Sequence, residues 1–172
     1  GCLPYARGHH GERERDHGGG VAMVRPETEV KLSPPSWAPR QAKFSGDEWI
    51  AIMVRMVKQN VLIINAYFHP GPEHVTNKNN MFNQILQLKR LLNLPTVLLA
   101  DFNSTAKEIE ERGWPNLFGG FIAQPDVEFT CNSAGSKRII DFALITFDLI
   151  GQCQLVPSFE VPWGPHIGLE LL

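Results

Sequence analysis

The stretch Thr96-Val97-Leu98-Leu99-Ala100-Asp101-Phe102-Asn103 carries most of the information about the fold. Residues 96–100 form a short, almost continuous apolar run, which predicts a strand covered on both faces. Asp101 and Asn103 follow two residues apart, so in an extended backbone their side chains point the same way. Polar side chains at the carboxyl end of a buried strand are typical of the rim where layered proteins have their active sites. Capping of the next helix explains the same two residues equally well.

Strands and helices are predicted on both sides of this stretch. Residues 49–57 and 61–67 are apolar runs separated by a short polar link, which predicts a hairpin. Residues 77–92 place apolar side chains at helical spacing and predict a helix. Thr105 and Glu108 have the spacing of a capping box at the start of a further short helix.

The C-terminal half is predicted to be mostly strand and loop. Residues 114–128 show neither helical nor strand periodicity and are predicted to be irregular. Residues 138–147 predict a strand with Asp141 inside its apolar run, and residues 154–172 predict a strand, a proline-rich turn and a final apolar segment. Because the strands outnumber the helices and follow one another in hairpins, an α+β fold with a mixed sheet is expected.

The N-terminal segment differs from the rest of the chain. Residues 1–18 are polar, rich in His, Arg and Gly, and without periodicity, so we predict a flexible lead-in that contains no strand. A strand is predicted over residues 20–25, where Pro26 stops it. We therefore expect one domain over residues 19–172.

Composition excludes several classes of protein. The 172 residues are 43% apolar and 20% charged, which fits one globular domain and not a low-complexity chain. A net charge of −2 argues against a protein held on nucleic acid by bulk electrostatics alone. The three cysteines are widely spaced and form no zinc pattern, which favours an intracellular, reducing compartment. We expect no membrane partner, since no run of 18 apolar residues occurs.

Three further residues are candidates for a functional site. Asp141 is a carboxylate within an apolar run, which is costly unless it has a partner such as a histidine or a metal; an edge position or a backbone contact is the alternative. His166 follows glycine and proline at a strand start and could move protons near neutral pH, although a lone histidine is more often structural. Tyr67 ends a predicted strand, where a phenol could donate to a phosphate oxygen or simply border the core.

Five short motifs, in this order, resemble those of the endonuclease/exonuclease/phosphatase superfamily. They are Gly19-Gly20-Val21-Ala22, Asn65-Ala66-Tyr67, Ala100-Asp101-Phe102-Asn103, Arg138-Ile139-Ile140-Asp141-Phe142 and Gly164-Pro165-His166. None is specific alone, and the resemblance depends on their order over residues 19–169. The Trp-Gly-Pro-His form and the compact spacing look most like the retrotransposon-type endonuclease domains of this superfamily.

The resemblance implies a two-layered mixed β-sheet sandwich flanked by helices, of the deoxyribonuclease I type, incomplete here at the N-terminus. It implies a metal-dependent phosphodiesterase, an endonuclease of the retrotransposon type, that uses Mg²⁺ or Mn²⁺ on a nucleic acid substrate. A nuclear location would be compatible with that activity. DNA, RNA and inositol phosphates all fit the core motif.

The resemblance also implies roles for the five site residues. Asp101 would orient or deprotonate the attacking water, while Asn103 and Tyr67 would hold phosphate oxygens. His166 would contact the phosphate or shuttle a proton, and Asp141 would fix its tautomer. Asp101 and Asn103 would also bind the metal ion, although weakly.

Two departures from the superfamily pattern weaken the expected metal site. Its opening strands should carry an Asn and a metal-binding Glu before Gly19, and no strand is predicted there to hold them. The Asp that should precede the histidine is Pro165, which has no side-chain ligand. A catalytically inactive relic or a binding module on the same fold is therefore the alternative, and a structural protein with accidental motifs is a third.

Overall fold

The computed structural model describes residues 3–6, 21–24, 30–31, 35–56, 59–133, 135–161 and 164–172. The strands are β1 (Leu3–Ala6), β2 (Val21–Val24), β3 (Val30–Lys31), β4 (Trp49–Arg55), β5 (Asn60–Tyr67), β6 (Thr96–Asp101), β7 (Gly120–Ala123), β8 (Cys131–Ser133), β9 (Ser136–Arg138), β10 (Asp141–Thr146), β11 (Leu155–Ser158) and β12 (Gly168–Leu171). The α-helices are α1 (Val75–Leu92), α2 (Ala106–Glu111) and α3 (Trp114–Phe118), with single 3₁₀ turns at Pro72–His74 and Phe147–Leu149. None of the helices in the described ranges has the length and apolarity needed to cross a membrane.

The central element is a six-stranded sheet in the order β3-β4-β5-β6-β10-β7. Neighbours are antiparallel except for β5 and β6, which run parallel because α1 connects them. The predicted hairpin is present as β4 and β5, whose register pairs Trp49 with Ala66 and Arg55 with Asn60. The predicted α+β fold with a mixed sheet is confirmed.

The two faces of this sheet are covered differently. One face packs against the helices, where Phe82 of α1 stacks on Trp114 of α3 with ring centroids 4.0 Å apart. The other face packs against the two-stranded β11–β12 sheet, with Val97 and Ile145 among its fully buried residues and Leu155 opposite them. The β11–β12 sheet therefore contributes to the second layer of a sandwich.

The segment after β6 is held by a helix cap and an unusual turn. Thr105 and Glu108 form the predicted capping box at the start of α2. Between the strand and that cap, Asn103 has φ 44°, in the left-handed region that asparagine tolerates better than most residues. The chain bends at Asn103 and Ser104, and the Asn103 N–H donates to Asp101 Oδ1, so Asn103 stays beside Asp101.

Three predictions about elements were wrong. The strand Leu3–Ala6 pairs antiparallel with Val21–Val24, whereas no strand was expected within residues 1–18; the other residues of that lead-in lie outside the described ranges. Residues 114–128 were predicted to be irregular but contain α3 and β7. A helix of five residues is too short to show a period, and the left-handed conformation of Gly119 ends it.

The third correction concerns Asp141. The predicted strand over residues 138–147 is broken before Asp141, because β9 ends at Arg138 and pairs with β8. Asp141 is therefore the first residue of β10 and not an interior one. Its backbone N–H donates to Thr130 Oγ1 at 3.0 Å, and so does that of Ile140. The carboxylate thus lies at the edge of the sheet, beside the other polar residues.

Candidate active site

Three strands bring their polar residues to one edge of the central sheet. Tyr67, the last residue of β5, pairs in register with Asp101, the last residue of β6. Asp101 in turn pairs with Asp141, the first residue of the antiparallel β10. The register alone therefore places a phenol and two carboxylates side by side.

The imidazole of His166 comes to the same edge from the second layer. His166 lies just before β12, and its backbone forms a bridge with Cys131. Its Nδ1 lies 3.0 and 3.1 Å from the two carboxylate oxygens of Asp141, which fits an Nδ1–H donor. This hydrogen bond is the main reason that the pKa of His166 is raised above its usual value, with burial opposing it. Asp141 thereby fixes the ring and favours its protonated form.

Asp101 is the most perturbed carboxyl group of the site. Its side chain is 15% exposed, and its Oδ2 lies 3.9 Å from His166 Nε2. Burial and the nearby charge of Asp141 raise the pKa of Asp101 to about 6, while the Asn103 backbone N–H, which donates to Oδ1 at 2.9 Å, opposes the shift. A carboxylate in this state can exchange a proton with water near neutral pH.

Asn103 and Tyr67 complete the edge. Asn103 Nδ2 donates to the carbonyl oxygen of Phe68 at 3.0 Å, which ties the turn after β6 to the end of β5. Burial and the charges of Asp101 and Glu48 raise the pKa of Tyr67, and a hydrogen bond with the Asn103 side chain partly offsets them. Tyr67 is therefore a neutral phenol that can act as a donor.

The structure thus brings Asp101, Asn103, Asp141, His166 and Tyr67 to one edge of the sheet. Single ligand atoms of Asp101, Asp141 and His166 all lie within 4.8 Å of one another, the spacing of a possible metal site. Both Asp141 oxygens are already hydrogen-bonded to His166, so Asp101 offers the available carboxylate. Pro165, beside His166, is exposed and offers no side-chain ligand.

Comparison with solved structures identifies the architecture. The protein is similar to the endonuclease domain of TRAS1, a telomere-specific non-LTR retrotransposon, with a TM-score of 0.71 and 14% identity over 99% of this chain and 78% of that domain. It is also similar to an endonuclease/exonuclease/phosphatase family protein from Leptotrichia buccalis, with a TM-score of 0.51, 16% identity, and coverage of 72% and 53%. The chain has the deoxyribonuclease I-like fold.

Other comparisons agree with this fold. CdtB, the biologically active subunit of cytolethal distending toxin, gives a TM-score of 0.50 with 15% identity over 88% of this chain and 58% of CdtB. No protein-family model matches the sequence, and no curated protein matches it. The chain spans about four-fifths of the TRAS1 domain, and little more than half of CdtB and of the Leptotrichia buccalis protein.

Two residues at the same edge were missed in the sequence analysis. Glu48 immediately precedes β4, and its Oε1 lies 2.9 Å from His69 Nε2. Its Oε2 is buried without a hydrogen-bond partner among the described residues, and the ring of His69 makes an edge contact with Tyr67 at 5.1 Å. The available signal was the position of both residues beside strand ends, since Glu48 and His69 flank the ends of β4 and β5 at one edge.

A third missed residue is Lys78 of α1. Its side chain is 4% exposed, and its Nζ contacts the turn that carries Asn103. Burial lowers the pKa of Lys78. Little in the sequence indicates this burial. Residue 78 lies between polar neighbours in the first turn of the predicted helix, where a lysine is expected to be exposed.

Proposed function

We propose that this protein is a metal-dependent phosphodiesterase that cleaves nucleic acid, an endonuclease of the retrotransposon type. The observation that carries the proposal is the Asp101–His166–Asp141 arrangement at one edge of a deoxyribonuclease I-like sandwich. A hydrogen-bonded histidine next to a second carboxyl group with a raised pKa suits proton transfer during hydrolysis.

The chain's own residues can divide the chemistry between them. Asp101, whose pKa is about 6 in the absence of a metal ion, orients the attacking water and accepts its proton. The hydrogen bond from His166 Nδ1 to Asp141 orients the imidazole, so Nε2 is free to donate to a phosphate oxygen. This arrangement aligns the water and neutralises charge, which is most of what phosphoryl transfer requires of a protein.

Tyr67 and Asn103 would bind the substrate. A neutral phenol and a side-chain amide provide uncharged donors for the phosphate oxygens, next to the group that handles the proton. The hydrogen bond from Asn103 Nδ2 to the Phe68 carbonyl fixes the amide, and the hydrogen bond between Asn103 and Tyr67 holds the phenol beside it before substrate arrives. Such preorganisation lowers the entropic cost of the reaction.

The residues fit a weakly held divalent ion. Asp101 and Asn103 would hold Mg²⁺ or Mn²⁺, and Mg²⁺ commonly binds through one or two carboxylates, with waters and substrate phosphates completing its shell. When bound, the ion supplies neutralisation of the phosphate charge. With Asp141 committed to His166 and proline at position 165, the protein contributes few anionic oxygens, and binding should be weak.

An inactive relic that still binds nucleic acid is the second candidate. The observation that favours it is Pro165, which stands where the resembling family has a carboxylate. Both candidates keep the donors of Tyr67, Asn103 and His166, so they differ in cleavage and not in phosphate binding.

The test is nicking of supercoiled plasmid by purified protein at high enzyme concentration with millimolar Mg²⁺ or Mn²⁺. We expect slow, metal-dependent nicking that is lost in Asp101→Ala and His166→Gln. Asp148→Ala is the matched control, because Asp148 is exposed in the 3₁₀ turn beyond β10, at the other end of that strand. Equal nicking by Asp101→Ala and wild type would reject the assignment, and plasmid binding without nicking would favour the relic.

A further inference from the structure

Lys78 is a buried lysine that the proposed chemistry does not use. It lies in the first turn of α1, and its side chain is only 4% exposed. Lysine is almost never fully buried unless its amine has partners, because removing the charged group from water is costly. An apolar side chain of similar length would pack at this position without that cost.

The partners of the Lys78 amine all belong to the turn that follows Asp101. Nζ donates to the carbonyl oxygens of Phe102 and Asn103 at 3.3 and 3.5 Å and to Ser104 Oγ at 3.3 Å. These acceptors are uncharged, so the contacts do not form an ion pair. Three consecutive residues are therefore tied to one point on α1.

This turn has a conformation that needs support. Asn103 has φ 44°, which is unfavourable for a residue with a side chain, and Phe102 and Ser104 on either side are buried. Buried carbonyl groups without donors destabilise a fold. Asn103 is also the residue whose side-chain amide the proposed function assigns to the substrate phosphate, and its backbone conformation decides where that amide lies.

We propose that Lys78 is a positioning residue that holds the 102–104 turn, and with it the Asn103 amide, in the orientation that binds the substrate phosphate. The role of the Asn103 amide in binding phosphate rests on the proposed function, whereas the tie between Lys78 and the turn rests on the observed hydrogen bonds. Lys78 acts through Asn103 and does not itself touch the substrate.

The decisive measurement is amide hydrogen exchange by NMR on the full chain without metal. In Lys78→Met we expect the Asn103 backbone N–H, which is bonded to Asp101, to exchange about tenfold faster, as the loss of ordinary hydrogen bonds predicts. Amides in the middle of β5 and β6 should exchange at wild-type rates. Lys89→Met is the matched control, since Lys89 lies on the same helix and packs over Phe118.

The outcomes separate positioning from general stability. Faster exchange at Asn103 in Lys78→Met but not in Lys89→Met supports the proposal. Unchanged exchange at Asn103, or equal acceleration throughout the central sheet, overturns it. If Lys78→Met does not fold, the wild-type protein still tests the contact, because a hydrogen-bonded Lys78 ammonium should give a slowly exchanging ¹⁵Nζ signal and its absence would overturn the proposal.

Activity provides an independent readout. If the wild type nicks plasmid, Lys78→Met should lower kcat/KM about tenfold or more, because the Asn103 amide that donates a hydrogen bond to the phosphate is then misplaced. A wild-type chain that does not nick contradicts the proposed function, whereas the exchange result at Asn103 still decides the role of Lys78. The two failures are therefore distinguishable.

Discussion

The Asp101 carboxylate departs furthest from the environment of a carboxylate in water. It is largely buried, lies beside Asp141 in the register of the sheet, and has His166 Nε2 at 3.9 Å. Structural sites usually avoid placing one carboxylate next to another without a bridging cation. Because the cost is concentrated on residues that the proposed chemistry uses, function and stability should change in opposite directions there.

Asp101→Asn should stabilise the fold while abolishing any cleavage. The pKa of Asp101 is raised to about 6 in the folded state, so its contribution to stability is present below pH 3.8 and is lost as the pH rises through 6. The variant has an amide that cannot ionise in place of the carboxyl group. It should therefore be more stable than wild type by on the order of 1 kcal/mol above pH 7. Urea unfolding in EDTA at pH 4 and pH 7.5 measures this difference.

The control for this experiment is Asp148→Asn, at an exposed position. It should show no comparable gain at either pH. A stability change for Asp101→Asn that is the same at both pH values would mean that burial of the ionised carboxylate is not the cause.

Asp141→Asn should lower the pKa of His166 towards its ordinary value. The hydrogen bond from Nδ1 to Asp141 is the largest cause of the raised pKa, whereas Asp101 contributes only through its charge. The pKa of His166 should therefore fall further in Asp141→Asn than in Asp101→Asn, as measured by NMR titration of the ring protons. An equal fall in both variants would show that charge alone, and not the oriented hydrogen bond, controls the imidazole.

The sign of this effect on stability follows from linkage. Because the folded-state pKa of His166 is raised, the His166–Asp141 pair stabilises the fold below pH 6.5 and loses that contribution as the pH rises through the folded-state pKa. Asp141→Asn should thus cost more stability at pH 5.5 than at pH 8.5.

Sequence alone named the five residues at the site because each stands at a strand end or beside a turn. The cost of a buried carboxylate predicted a histidine or a metal as the partner of Asp141, and the resemblance to the superfamily singled out His166. Lys78 lies within a helix and could not be found in this way, and a position beside a strand end did not by itself single out Glu48, since the importance of both depends on contacts with residues 24 and 21 positions away. Lysine and glutamate are usually surface residues, and only the tertiary fold shows that Lys78 is buried and that Glu48 lies against His69.

At the scale of elements, the junction between β9 and β10 determines where Asp141 lies. Thr130 is fully buried, and its hydroxyl accepts the N–H groups of both Ile140 and Asp141 at 3.0 Å. Its own carbonyl accepts the Ile167 N–H at 2.9 Å, next to His166. One threonine therefore connects the two segments that carry the histidine–carboxylate pair.

Thr130→Val should destabilise the fold and loosen this pair. Valine has nearly the same shape but cannot accept the two N–H groups, and each buried unsatisfied donor costs about 1–3 kcal/mol. Urea unfolding should show a loss on the order of 2 kcal/mol, and the pKa of His166 should fall. Thr76→Val, at an exposed position of α1, is the matched control. A wild-type pKa for His166 in Thr130→Val would show that the Thr130 contacts do not position the pair.

Elements with a clear apolar pattern could be predicted from the sequence, whereas those defined by tertiary contacts could not. The long apolar stripe of α1 and the runs of β4, β5 and β6 were predicted to within a few residues. The β9–β10 break was missed, because Ile139 and Ile140 continue the apolar run, whereas the interruption comes from the Thr130 hydroxyl, ten residues before Ile140 and eleven before Asp141. Strand β7 was missed because it begins at Gly120, where a Cβ atom would lie 2.1 Å from the Ile145 carbonyl oxygen, so close packing and not periodicity defines it.

At the scale of the whole molecule, the candidate site exists only where the two layers meet. Asp101 and Asp141 belong to the central sheet, whereas His166 is supplied by the segment leading into β12 of the second layer. The number of anionic oxygens that could surround a metal ion would therefore depend on both layers together.

A further carboxylate at the candidate site should strengthen metal binding. Wild-type protein should nick plasmid slowly even at millimolar Mg²⁺, and Pro165→Asp should nick faster, because it adds a carboxylate beside His166 at an exposed position. Each 1.36 kcal/mol of additional transition-state stabilisation corresponds to about tenfold in rate. Tighter Mn²⁺ binding by Pro165→Asp, measured from the electron paramagnetic resonance signal of free Mn²⁺, provides a readout that does not depend on cleavage.

Pro165→Asn is the matched control for this prediction, since it removes the proline and adds a side chain of the same size without the charge. If Pro165→Asn improves Mn²⁺ binding as much as Pro165→Asp, the proline itself and not the missing carboxylate limits the site. Addition of Asp101→Ala to Pro165→Asp should abolish both the binding and the nicking, because Asp101 is the carboxylate that is not committed to His166. Robust nicking by the wild type at millimolar Mg²⁺, lost in Asp101→Ala, would contradict a weak metal site while supporting the nuclease, since one carboxylate and the substrate phosphate would then suffice to hold the ion.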